Sequence, residues 1–72
     1  MKLKVTNKSC PHRAGTIRER MWNLVVAMDG CTPEQITAAI WALCDSNGWS
    51  NTNPARPAQC VVARGYAQWV QS

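Results

Sequence analysis

Apolar positions recur at helical spacing in two clear runs and one ambiguous one. From Thr16 onward, Ile17, Met21, Leu24, Val25 and Met28 share one face of a helix. Thr16-Ile17-Arg18-Glu19 has capping-box spacing, in which the Thr and Glu side chains satisfy backbone N–H groups that a first helical turn leaves unpaired. Gly30 ends this helix. Trp22 and Val26 fall beside the stripe as a second apolar strip, either packed against the N-terminal arm or third helix or left as a subunit contact. The second helix opens on Thr32-Pro33-Glu34-Gln35, which combines an N-cap, proline at the first helical position and a capping-box Gln. Ile36, Ala39, Ile40, Leu43 and Cys44 form its buried stripe, and Asp45-Ser46-Asn47-Gly48 stops it. Only residues 29–31 separate the two, the tight spacing of a helix-turn-helix pair crossing at a steep angle.

The flanks are less regular. Lys2-Leu3-Lys4-Val5 alternates and permits an edge strand, after which Pro11 and Gly15 interrupt any helix, so residues 1–15 read as a basic arm and residues 16–72 as a single domain. Residues 49–57 form a polar loop stiffened by Pro54 and Pro57. Residues 58–71 follow a helical pattern, with Ala58, Val62, Gly65, Tyr66 and Trp69 on one side. The alternative is a hairpin of Cys60–Ala63 with Tyr66–Val70 around Arg64-Gly65, which the weak strand preference of Ala and Gln disfavours. The expected architecture is mainly α, a compact three-helix, helix-turn-helix or winged-helix-like domain, with a possible short edge strand or C-terminal hairpin.

Composition narrows the class. The chain has 72 residues, 46% hydrophobic and 17% charged, enough apolar content to fold but near the length at which burial barely exceeds conformational entropy. That length, together with the apolar flank of Trp22 and Val26, motivates the expectation of a homodimer. Lys2, Lys4, Lys8, Arg13, Arg18 and Arg20 place a net charge of about +5 in the first twenty residues, on a remainder of about −1. Such a localised charge suits a polyanion, because neutralising phosphates releases counterions; a solvated, solubilising segment is the alternative. Cys10, Cys31, Cys44 and Cys60 contain no Cys-x-x-Cys pair, and Cys10-Pro11-His12 is too small a fragment for a zinc site. No metal or cofactor is expected. The start lacks a signal-peptide apolar run and no stretch of about 18 apolar residues could span a bilayer, so the expected setting is cytoplasmic, away from membranes, with reduced cysteines.

No catalytic constellation is visible. His12 stands in an irregular segment and reads as a solvent-exposed loop histidine, and the four carboxylates sit at helix caps and ends, so no enzyme is expected. The best binding surface is the third helix, where Arg56, Gln59, Arg64 and Gln68 could meet base edges while Lys2, Lys4, Lys8, Arg13, Arg18 and Arg20 contact phosphates. The small residues Cys60, Ala63 and Ala67, with Trp22 and Val26, could instead form a contact with a protein partner or a second copy.

Arg13-Ala14-Gly15-Thr16-Ile17-Arg18-Glu19-Arg20-Met21-Trp22, then Thr32-Pro33-Glu34-Gln35-Ile36, Asn53-Pro54 and Tyr66-Ala67-Gln68-Trp69, resemble short helix-turn-helix proteins of bacteria, phages and mobile elements. In that group a Gly-Thr-x-Arg opening precedes a Trp-containing helix, and an Asn-Pro turn precedes a Tyr-x-x-Trp ending. The likeness covers residues 13–69, although extra residues including Pro57 separate Asn-Pro from Tyr-x-x-Trp here. The likeness implies the helix-turn-helix fold; with the basic first segment and the third-helix face, the expected function is a small regulator that binds double-stranded DNA, and the alternative is a mobile-element inhibitor or adaptor acting on a host protein.

Overall fold

A computed structural model describes residues 1–50 and 53–71, so residues 51–52 of the expected polar loop lie outside the described residues. The element order is β1 (Lys2–Val5), α1 (Ile17–Ala27), α2 (Pro33–Asn47), α3 (Arg56–Ala63) and β2 (Ala67–Val70). Among the described residues these make three helices and a two-stranded antiparallel sheet.

The two helices with strong start signals begin where their sequences place them. At α2 the capping box is complete: Gln35 N donates to Thr32 Oγ1 at 3.2 Å, and Thr32 N donates to Gln35 Oε1 at 2.9 Å. Its other end turns off at Gly48, whose φ of 69° is a left-handed conformation that glycine adopts without a Cβ penalty. At α1 only half the box forms. Glu19 N donates to Thr16 Oγ1, but the Glu19 carboxylate accepts from Gly15 N and from the Asn23 amide instead of the N-cap N–H, because Thr16 N is already directed to the Arg13 carbonyl.

The buried face of α1 differs from the expected stripe. Trp22, Val25 and Val26 are buried, Met21, Leu24 and Met28 flank them, and Ile17 is 45% exposed. The inner face thus runs from Val25 of the expected stripe onto the Trp22 and Val26 strip beside it, because the N-terminal segment and α3 both cover that side. On α2 the expected stripe holds, with Ile36, Ile40 and Cys44 buried. Leu3, Ala58, Val61 and Ala67 complete the core, which contains no buried polar residue among those described.

The C-terminal segment is neither one helix over residues 58–71 nor a local hairpin. The α3 helix starts at Arg56 and ends at Ala63; Gly65 reverses the chain at φ 81°, and Tyr66 N closes the turn on the Val61 carbonyl at 3.1 Å. The strand that follows pairs with the other end of the molecule, in the register Lys2↔Val70, Leu3↔Trp69, Lys4↔Gln68 and Val5↔Ala67. Residues 2–5 are therefore part of the folded unit and not a free arm. Their outer edge is also bonded: Gly30 N reaches the Leu3 carbonyl at 2.7 Å, Leu3 N reaches Cys31 O at 2.9 Å, and Val5 N reaches Asp29 Oδ1 at 2.9 Å. By alternation, Leu3 and Ala67 turn into the core while Lys2, Lys4 and Gln68 face outward. No helix among the described residues is long and apolar enough to cross a membrane.

Candidate functional site

The most chemically distinctive place in the molecule is an open cleft between α1 and α3. Arg18, Met21 and Trp22 come from α1; Arg56, Pro57, Cys60 and Arg64 from α3 and its cap; His12 and Asn53 from the segments before each helix. Arg56, Cys60 and Arg64 are spaced at i, i+4 and i+8, so one face of α3 delivers both arginines to the cleft. Across from them Arg18 projects from the first turn of α1. No carboxylate lines the cleft, so the guanidinium charges reinforce one another and attract an anion.

Trp22 is the support of this arrangement. It is 3% exposed, and its indole Nε1 donates to the Ser9 carbonyl at 3.1 Å. His12 and Tyr66 both meet its ring edge-on with centroids 5.2 Å away, and the Arg64 guanidinium lies over it at 5.9 Å. These contacts correct one expectation and decide another. His12 is half-buried against an indole and is not a solvent-exposed loop side chain, and Trp22 is buried against the N-terminal segment and the end of α3, the first of the two roles expected for it, instead of standing as a protein contact. Val26 at 8% and Ala67 at 5% exposure are likewise buried, which removes them from any interface as well. For Trp22 and Val26 the reason is that β1, the segment after it and α3 close over the side of α1 that local periodicity leaves open; Ala67 is buried because it lies on the inner face of β2, opposite Val5.

The remaining candidates divide by location. Arg56 and Arg64, expected at bases, meet Arg18, expected at phosphates, so the cleft crosses that division. Gln59 is exposed on α3 but does not line the cleft, while Gln68 sits on the outer face of β2 directly opposite Lys4. Lys2 shares that outer face; Lys8 and Arg13 are exposed in the segment between β1 and α1. Arg20 is directed elsewhere, over Trp49 at 5.2 Å and towards Asn47 Oδ1 at 3.4 Å. Of the small residues proposed as a contact, Cys60 is half-buried in the cleft and Ala63 is exposed. The four cysteines are unbridged, and among the described residues no three His, Cys, Asp or Glu side chains gather as metal ligands.

A second surface was not anticipated. Trp41 is 58% exposed and, with Pro33, Thr37, Ala38 and Pro54, lines a shallow groove on the outer side of α2. The signal was present in the spacing, since Trp41 follows Ile40 and so lies about 100° away from the Ile36, Ile40, Cys44 stripe. Compared with known proteins, the chain matches no family model, no curated protein and no solved structure.

Proposed function

We propose that this chain is a small DNA-binding protein of the regulatory kind. The observation that carries the reading is the convergence of Arg18, Arg56 and Arg64 on one cleft whose lining contains no acid. Lys2 and Lys4 on the outer sheet face, and Lys8 and Arg13 between β1 and α1, add exposed positive charge suited to phosphates. The resemblance to short helix-turn-helix proteins of bacteria, phages and mobile elements points the same way. Fluorescence anisotropy with random-sequence duplex DNA over a salt series tests it. Affinity should fall steeply with salt, and Arg18→Ala and Arg56→Ala should each reduce the slope of log affinity against log salt by about 1. Absence of binding at about 50 mM salt sinks the proposal.

Exposed Trp41 supports a second reading, a contact with a host or partner protein through α2. A stoichiometric protein partner that survives nuclease treatment and is lost with Trp41→Ala would favour it over DNA binding. The expectation of a homodimer loses one of its two motives, because the Trp22 and Val26 strip is covered within the chain, and now rests on the short length alone.

A further inference from the structure

The arginine cleft is larger than the phosphate group its charges suit. The open cleft offers about 500 Å³, within the range of about 300–1,000 Å³ that small-molecule sites occupy and several times what a phosphate group fills. Only part of its wall is cationic. Met21, Trp22, Pro57 and Cys60 supply an apolar part beside Arg18, Arg56 and Arg64. A phosphate on a duplex would satisfy the guanidiniums and leave that apolar wall facing water, because paired bases are stacked within the double helix. A ligand that satisfies both has an anionic group joined to a flat, weakly polar body.

Arg64 is held ready for such a ligand. Its guanidinium lies over Trp22, and Trp22 is itself fixed by the Ser9 carbonyl, His12 and Tyr66. Arg64 is exposed, so the side of the guanidinium turned away from Trp22 is open to a phosphate or a planar ring. We infer that the cleft seats one unpaired nucleotide of a DNA strand. The phosphate is held by Arg18, Arg56 and Arg64, and the base lies against Met21, Pro57 and the outer face of Arg64. This rests on the DNA-binding reading above and deepens it: binding is strongest where a strand offers an unpaired nucleotide, such as an end or a gap.

The test is an amide-shift titration of the labelled protein with deoxyadenosine 5′-monophosphate, inorganic phosphate and phosphotyrosine in parallel, beside the duplex assay. The nucleotide should shift amides around His12, Arg18–Trp22 and Arg56–Arg64, and bind about tenfold more tightly than phosphate, in line with what stacking one base contributes. Arg18→Ala, an exposed position, should abolish nucleotide binding while leaving the melting temperature unchanged. Arg64→Lys keeps the charge but not the planar stack, and should narrow the preference for nucleotide over phosphate. The inference is overturned by nucleotide binding no tighter than phosphate, by shifts outside the cleft, or by phosphotyrosine binding equally well, which would assign the cleft to a phosphopeptide. Duplex binding that persists in those cases leaves the DNA reading standing, whereas its loss defeats both.

Discussion

Trp22 and Trp41 stand on consecutive helices and have opposite surroundings. Trp22 is almost completely enclosed, hydrogen-bonded through its ring nitrogen and bordered by three cationic or aromatic side chains. Trp41 is mostly in water, with two prolines and an alanine nearby and Glu34 as the one charged neighbour in its groove. The difference shows where binding capacity comes from in so small a domain. On the Trp22 side, the indole serves the core and also positions an arginine, so stability and site share a residue. On the Trp41 side, the aromatic ring adds nothing to the core and is free to act only through a partner.

Three substitutions can break or sharpen this contrast. Trp22→Ala should destabilise the fold by about 3–5 kcal/mol, a large share of the roughly 4–10 kcal/mol that holds a domain of this length together. Denaturant unfolding checks it, and a loss under about 1 kcal/mol would mean that the enclosure of Trp22 contributes little. Thr32→Ala, which removes the N-cap of the helix that carries Trp41, should cost about 1 kcal/mol and leave anion binding in the arginine cleft, which Thr32 does not line, unchanged. A change in cleft affinity with this variant would show that the two sides are coupled. Trp41→Ala should shift stability by no more than about 0.5 kcal/mol in either direction, and a loss of 2 kcal/mol or more would place Trp41 in the core and end the comparison.

Much of α1 and α2 was legible because their signals are local. Thr32, Pro33 and Gln35 need only one another to start a helix, and Gly48 needs only its own backbone freedom to stop it. The candidate site was legible in part: Arg56 and Arg64 lie four residues either side of Cys60 on one helix face, a relation that spacing alone reveals. That Arg18 joins them was not legible, because it depends on how α1 and α3 are laid together. The orientation of α1 misled for a related reason. Its two apolar strips are both plausible inner faces in isolation, and the choice of Trp22 and Val26 over Ile17 follows from which side the N-terminal segment and α3 cover.

By itself the sequence determined where two helices start and where the second stops, that the chain is basic chiefly at its beginning, and that one face of the third helix carries two arginines. These follow from interactions within a few residues, whose energetics do not depend on the rest of the chain. Only the tertiary structure decided the fate of residues 66–70. Ala67-Gln68-Trp69-Val70 is a poor strand by composition and continues a helical pattern, yet it pairs with Lys2–Val5 from the far end of the chain. The pairing satisfies backbone groups on both strands and sets Leu3 and Ala67 in the core. Its partner lies more than sixty residues away, beyond the reach of any local pattern.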